Sequence, residues 1–184
     1  AIISVPAYFN DLQRKATRRA GELAALRVER IINEPTAAAI AYGLCGPGHN
    51  GCYLVFDLGG GTLDVSILEL YQNIMEVHAV AGDNFLGGED FTAALARLFL
   101  EKTGLADRTL TEADRFALRR QAELCKLGLS EGLIAVMTCT LGGQSFTAAI
   151  TRAEFENACR PLLLRIRRPV EQSLKDAGLS MKEI

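Results

Sequence analysis

The chain has 184 residues, enough for one domain or two small ones, and its 20 basic and 22 acidic residues give a formal net charge of −2. A slightly acidic chain lacks the basic face of an electrostatic nucleic-acid binder, and 49% hydrophobic residues indicate a globular protein. No apolar run approaches the roughly 20 residues of a membrane-spanning helix, and no signal peptide is visible. We expect a cytoplasmic protein that binds neither nucleic acid nor membrane. Because the sequence opens without Met inside an apolar run, we interpret it as a fragment of a longer chain.

The first quarter of the chain predicts two strand–helix pairs followed by a linker. Asn10 with Gln13 three residues later has the pattern of a capping box, and Pro35 suits the first position of a helix because it lacks an N–H. Glycine and proline are concentrated in residues 44–51, the best linker candidate. The predicted elements are a strand over 2–5, a helix over 10–25, a strand over 28–32 and a helix over 36–42.

The remainder predicts an antiparallel meander and then helices around a hairpin. Gly142 and Gly143 lie between two β-rich runs, which indicates a hairpin, and Pro161 predicts the start or kink of a further helix. The predicted elements are strands over 53–56, 62–70 and 74–81, a turn over 57–61, a loop over 82–88, helices over 89–102 and 111–127, strands over 133–140 and 145–150, and helices from 151 to about 177. This order favours an α/β protein with an inserted α+β subdomain.

The strongest chemical signal is the hairpin Phe56–Asp64, which contains three consecutive glycines and then Thr62. Glycine N–H groups can form a concave nest for an anion, and Asp57 and Asp64 flank the turn from opposite strands. Two carboxylates beside a phosphate cradle suit a hydrated Mg²⁺. The spacing matches neither a P-loop nor a dinucleotide fingerprint, and an ordinary glycine-rich hairpin is the alternative.

Two weaker signals lie beside predicted helix starts. Glu34 stands where Ser, Thr, Asp or Asn would cap better, so it is a candidate to orient a water or a metal shell; a first-turn acid that complements the helix dipole is the alternative. Gly87 and Gly88 precede a predicted helix whose N-terminus could bind an anion, and a plain helix start is the alternative there.

Four segments in a fixed order resemble the seventy-kilodalton heat-shock chaperone family, whose bacterial type is DnaK-like. They are Val5–Asp11, Ile31–Gly43, Phe56–Asp64 and Ala81–Phe91, and the resemblance spans nearly the whole chain. The Asn84-Phe85 pair and the shortened second half are similar to the HscC-like branch of that family.

The resemblance implies an actin-like (ribonuclease H-like) ATPase fold of two lobes with ATP in the cleft between them. By position, residues 1–45 correspond to the end of the first lobe, residues 46–82 and 150–184 to the base of the second lobe, and residues 83–149 to its inserted upper subdomain. The chain is therefore expected to hold mostly the second lobe.

The resemblance also implies roles for individual residues. The implied catalytic residues are Glu34, Asp57 and Thr62; the metal-shell acids are Asp57 and Asp64; the nucleotide contacts are Gly59, Gly60, Gly61, Thr62, Gly88, Glu89, Glu123, Lys126 and Ser130; and the interdomain signalling pair is Pro6 and Arg14. Leu63 replaces the usual Phe of the family's hairpin. Leu127 stands where an Arg commonly stacks on adenine, which removes a stacking contact.

The implied function is that of a chaperone that couples ATP binding and hydrolysis to capture and release of unfolded peptides. ATP or ADP and Mg²⁺ are the expected cofactors, with K⁺ as a further candidate ion. The expected partners are unfolded peptides, bound through a substrate domain outside this chain, a J-domain co-chaperone and a nucleotide-exchange factor.

The alternatives are an actin-like scaffold, a sugar-kinase-type phosphotransferase and a nucleotide-independent interaction module. Alone, the fragment is expected to show little or no turnover, because phosphoryl transfer needs groups from both sides of the phosphates.

Overall fold

The computed structural model describes residues 1–44, 50–72 and 74–184, and contacts divide the chain into two units. Unit 1 comprises residues 1–85 and 166–184, and unit 2 comprises residues 86–165. Most of the predicted linker 44–51 lies outside the described residues. The assignment of 1–45, 46–82 with 150–184, and 83–149 to parts of two lobes stays a prediction.

Unit 1 begins with two parallel strands and two helices. Strand β1 (Ile2–Val5) pairs with β2 (Arg30–Asn33) across helix α1 (Asp11–Leu23), and β2 runs directly into helix α2 (Glu34–Ala41). The predicted capping box of α1 is confirmed, because Asn10 Oδ1 accepts from the Gln13 N–H at 3.0 Å and Gln13 Oε1 accepts from the Asn10 N–H at 2.9 Å.

The prediction that β2 begins at Val28 is wrong by two residues. The parallel register starts with Ile2 opposite Arg30. The Val28 carbonyl instead accepts a hydrogen bond of 2.8 Å from Arg18 on α1. Val28 is buried without belonging to the strand.

The predicted antiparallel meander is confirmed and is longer than expected. It consists of β3 (Gly51–Leu58), β4 (Leu63–Tyr71) and β5 (Ile74–Asp83), in the spatial order β3-β4-β5. Residues 63–68 of the central strand β4 are all buried, so both of its faces are covered. The predicted turn at 57–61 and loop at 82–88 are each too long, because Asp57, Leu58, Gly82 and Asp83 form ladder pairs with β4.

Unit 2 packs two helices against a two-stranded hairpin. Helices α3 (Gly88–Lys102) and α4 (Glu112–Glu131) contact each other, and α4 contacts strand β6 (Ile134–Leu141), which pairs with β7 (Gln144–Thr151). The turn is formed by Gly142 and Gly143 with φ of 56° and 79°, the left-handed region that a two-residue hairpin turn requires. The buried core is Leu95, Phe99, Leu118, Ala122, Cys125, Leu129, Met137, Cys139, Leu141 and Ile150.

One helix, not two, follows the hairpin. Helix α5 (Arg152–Ala177) continues through Pro161, so the prediction that this proline begins a new helix is wrong. A proline inside a helix frees the carbonyl four residues earlier, and that carbonyl belongs to Asn157, which is exposed as Pro161 is. The helix ends at Gly178, with φ 68°, and a short 3-10 turn (Met181–Glu183) follows. Among the described helices, neither α5 nor any other has the length and apolarity to cross a membrane.

The start of α5 is fixed by Thr151 and Glu154 together with Lys102 from α3. Glu154 Oε2 accepts from the Thr151 N–H at 2.8 Å, and Glu154 Oε1 lies 2.5 Å from Lys102 Nζ. The Lys102 ammonium and the Thr151 hydrogen bonds lower the pKa of Glu154 to about 2.

Replacing Glu154 with Gln should destabilise the chain at pH 7 and much less at low pH. Because the folded-state pKa is depressed, the contribution of the carboxylate to stability is present above the unfolded-state value of about 4.5 and is lost as the pH falls towards 2. Urea unfolding at pH 7, 4 and 3 measures this, with Glu156→Gln, an exposed acid on the same helix, as the control. An equal effect of Glu154→Gln at all three pH values would contradict the linkage.

Candidate functional site

The acids of the glycine hairpin lie directly opposite each other. Asp57 on β3 pairs with Asp64 on β4 in the antiparallel register, and Leu58 with Leu63 closes the ladder before the loop. Residues paired in this way project from the same face of a sheet. The Gly59 N–H donates to the Thr62 carbonyl at 2.9 Å, so residues 59–62 form a closed turn beside the two carboxylates.

The three hairpin glycines do not use the left-handed conformation that glycine permits. None of Gly59, Gly60 and Gly61 has a positive φ. A Cβ added to Gly60 or Gly61 would meet no atom within 4 Å. The chain's own packing therefore does not demand glycine there. Without a Cβ, the backbone at these positions is open to close approach by an external group.

Asp64 is a buried carboxylate with an unused oxygen. Its exposed fraction is 4%, and Oδ1 has no hydrogen-bond partner. Gly82 lies opposite it on β5, where an added Cβ would come within 2.6 Å of the Leu63 carbonyl oxygen and 3.4 Å of Asp64 Oδ1. The absence of a side chain at Gly82 thus keeps the space beside Oδ1 open.

Glu34 begins α2, near enough to Asp57 and Asp64 for their charges to act on its carboxyl. Asn33 occupies the N-cap position, but its side chain makes no cap hydrogen bond, because Asn33 Oδ1 accepts from Arg14 Nη2 at 2.8 Å. Glu34 is the first residue of the helix and not its cap, as in the helix-dipole alternative. Burial, Asp57 and Asp64 nevertheless raise the pKa of Glu34, so its surroundings disfavour the charge that a dipole partner would carry.

Arg14 fixes the turn that precedes α1. Its guanidinium donates to the Phe9 carbonyl at 3.0 Å and to the Ala7 carbonyl at 3.2 Å, and the Phe9 N–H donates to the Pro6 carbonyl at 3.1 Å. A backbone hydrogen bond from Tyr8, within this turn, favours the charged form of Asp64. The predicted residues Pro6 and Arg14 therefore both bond to this turn, and Arg14 also bonds to Asn33, which precedes Glu34.

The grouping of Glu34, Asp57 and Asp64 has an electrostatic cost. Burial and the charge of Asp57 raise the pKa of Asp64, as burial and both aspartates do for Glu34. Among the described residues, no group of three or more acidic, His or Cys side chains has the geometry to hold a metal by itself. A hydrated Mg²⁺ takes only one or two protein carboxylates and keeps several waters. The unpartnered oxygen of Asp64 fits such an ion, and the N–H groups of the open glycine loop fit an anion beside it.

Unit 2 brings three of its five predicted contact residues together through side-chain bonds: Gly88, Glu123 and Lys126. Lys126 Nζ lies 2.7 Å from Glu123 Oε2 and donates to the Gly88 carbonyl at 3.1 Å. Ser130, one turn further along α4, donates to the Lys126 carbonyl at 3.4 Å. Glu89 does not bond to this cluster and instead forms an ion pair of 2.7 Å with Arg119.

Several residues of these clusters carried no signal in the sequence. Gly82 resembles any loop glycine until the register places it opposite Asp64. Asn33 has the residue type of an ordinary N-cap. Thr92 Oγ1 lies 2.6 Å from Glu123 Oε2 and 2.9 Å from Lys126 Nζ; only its spacing of four residues from Gly88, one helical turn, could have indicated it.

Comparison with known proteins identifies the family. A model of the Hsp70 protein family matches residues 1–184 of the chain. The chain belongs to the Hsp70 family. The ATPase domain of Hsp70 proteins has the actin-like fold, so the predicted family and fold class are confirmed, and the mixed helix and sheet content agrees with them. The narrower likeness to the HscC-like branch stays a prediction.

Several curated Hsp70 relatives match the whole chain. It is 49% identical to the chaperone protein DnaK of Thermus thermophilus, 45% identical to a chaperone protein HscA homolog of Delftia acidovorans, and 47% identical to the chaperone protein dnaK3 of Synechocystis sp.. The matches cover 100% of this chain but only 32%, 29% and 25% of those proteins. The chain therefore spans about a third or less of the length of these relatives.

Gly82→Ala should disrupt the meander at the acidic site. The added Cβ would meet the Leu63 carbonyl oxygen at 2.6 Å, and because that atom is backbone, β4 or β5 must shift, at a cost of about 1–3 kcal/mol. Thermal unfolding measures the loss. Gly60→Ala, whose Cβ meets nothing within 4 Å, is the matched control and should stay close to the wild type. Equal stabilities of the two variants would refute the close approach.

Proposed function

We propose that the chain is part of the nucleotide-binding domain of a molecular chaperone that couples ATP binding and hydrolysis to the capture and release of unfolded peptides. The observation that carries the nucleotide part is the buried, unpartnered Asp64 Oδ1 beside Asp57, Glu34 and the open glycine loop. The chaperone part is supported by the relatives, which are named DnaK and HscA chaperone proteins. Nothing comparable favours the sugar kinase or the scaffold.

In this proposal the hairpin residues bind the phosphates and the ion. The backbone N–H groups of Gly59, Gly60 and Gly61 and the hydroxyl of Thr62 are the donors to phosphate oxygens. The carboxylates of Asp57 and Asp64 hold the water shell of Mg²⁺, with K⁺ as a further ion of the site. Mg²⁺, when bound, neutralises charge on the phosphate oxygens.

Glu34 is the proposed group for the attacking water. Burial and two neighbouring aspartates raise its pKa, which brings a carboxylate closer to the range where it accepts a proton effectively. The Arg14 contact to Asn33 holds the start of α2 and therefore the position of Glu34. Pro6 and Arg14 are the proposed pair that transmits the nucleotide state to a substrate domain.

Unit 2 is proposed to supply nucleoside contacts from Gly88, Glu89, Glu123, Lys126 and Ser130. A J-domain co-chaperone and a nucleotide-exchange factor are the proposed regulatory partners, and unfolded peptides are the proposed clients of the longer protein. These proposals rest on family membership. Each concerns the full-length protein, of which this chain is one part.

Asp57→Asn should stabilise the ligand-free protein while abolishing binding of Mg²⁺-nucleotide. The substitution removes one of two like charges directly opposite each other on neighbouring strands, an arrangement that destabilises a sheet. Thermal unfolding without ligand, and calorimetric titration with Mg²⁺-ADP, measure the two effects in the full-length protein. Asp107→Asn, an exposed acid in unit 2, is the charge-matched control. Nucleotide binding that survives in Asp57→Asn would remove this acid from the site.

Single-turnover ATP hydrolysis by the full-length protein tests the proposed function directly. Glu34→Ala should slow hydrolysis by at least about a hundredfold, the usual contribution of a general base, with nucleotide affinity little changed. Glu29→Ala, an exposed acid just before β2, should hydrolyse ATP at the wild-type rate. A wild-type protein that binds nucleotide without hydrolysing it would contradict the ATPase assignment.

A further inference from the structure

Thr92 is the most deeply buried polar side chain of unit 2, and it is bonded on several sides. Its exposed fraction is 1%. Its Oγ1 lies 2.6 Å from Glu123 Oε2, 3.0 Å from the Gly88 carbonyl and 2.9 Å from Lys126 Nζ. A hydroxyl has one proton to donate and two lone pairs, so Thr92 donates to Glu123 or Gly88 and accepts from Lys126. It connects the first turn of α3 with two charged residues of α4.

The same cluster uses every donor of Lys126. The ammonium has three N–H groups, and Lys126 Nζ has three protein acceptors within 3.1 Å: the Gly88 carbonyl, Thr92 Oγ1 and Glu123 Oε2. Glu123 is left with one carboxylate oxygen, Oε1, that has no hydrogen-bond partner among the residues the structure describes. Glu123 Oε1 can therefore accept from an incoming hydroxyl or amine donor, whereas the three donors of Lys126 already have partners.

We propose that Thr92 is a positioning residue, which orients Glu123 through its hydroxyl so that Oε1 faces a donor group of the nucleoside, with Lys126 completing the support. This inference rests on the proposed role of Glu123 and Lys126 as nucleoside contacts. Glu123 presents Oε1 to the ligand, and Lys126, besides its proposed contact, holds Glu123 together with Thr92.

A purely structural joint between α3 and α4 is the competing explanation. Both explanations include the hydrogen bond between Thr92 and Glu123, but only positioning makes nucleotide affinity depend on it. Hydrogen bonds from Lys126 and Thr92 lower the pKa of Glu123, and the charges of Lys126 and Arg119 add to this. Loss of the Thr92 hydroxyl should therefore raise the pKa of Glu123 under either explanation, and under positioning it should also weaken nucleotide binding.

The test compares Thr92→Val, which keeps the shape and loses the hydroxyl, with Thr92→Ser, which keeps the hydroxyl. Calorimetric titration of the full-length protein with Mg²⁺-ADP should show an affinity about tenfold weaker for Thr92→Val, the usual effect of losing a hydrogen bond to a charged group. Thr92→Ser should bind nearly as tightly as the wild type. Carbon-13 NMR titration should show a raised pKa of Glu123 in Thr92→Val only.

Two further variants separate this inference from the proposed function. In a Glu123→Ala background, Thr92→Val should have no additional effect on ADP affinity, because its target is gone. If Glu123→Ala weakens ADP binding while Thr92→Val and Thr92→Ala both bind ADP with wild-type affinity, the positioning role is overturned and the nucleoside contact stands. If Glu123→Ala and Lys126→Ala both leave ADP affinity unchanged, the nucleoside contact fails and the positioning role fails with it. Thr92→Ala is measured beside Thr92→Val so that a folding defect of one variant does not decide the result.

Discussion

The register that sets Asp57 opposite Asp64 places two carboxylates on one face of the meander, and Glu34 adds a third at the start of α2. A sheet gains nothing from like charges in this arrangement, and Asp64 is buried in addition. The surrounding structure has to hold these groups against their repulsion. The same repulsion would be relieved by the cation that the proposed function places beside these carboxylates.

The residue that holds this arrangement does not neutralise it. The guanidinium of Arg14 donates to the Phe9 and Ala7 carbonyls and to Asn33 Oδ1, all of which are neutral acceptors. Arg14 therefore fixes the backbone around the acids while leaving their charge uncompensated. A direct ion pair with Glu34 would have lowered the pKa of that carboxyl, whereas the observed surroundings raise it.

The sequence predicted element types well and local bonding less well. The capping box at Asn10 and the hairpin at Gly142 depend on neighbours within four residues, and both are present. The start of β2 was misplaced because strand pairing depends on β1, some 28 residues away. The roles of Gly82 and Thr92 could not be predicted, because each is defined by a partner on another element. The continuous helix through Pro161 depended on where the freed carbonyl faces, which is a matter of packing.

The two kinds of glycine in unit 1 have different consequences for how freely the sequence can vary. At Gly82 the neighbouring backbone excludes a side chain, so any selection for a folded protein should retain glycine. At Gly60 and Gly61 the surrounding space is open, so a selection for folding alone should accept other small residues. Only a selection that requires a ligand bound at this loop should reject such small residues at Gly60 and Gly61. The pattern of tolerated substitutions across these three positions thus separates what the fold imposes from what a ligand imposes.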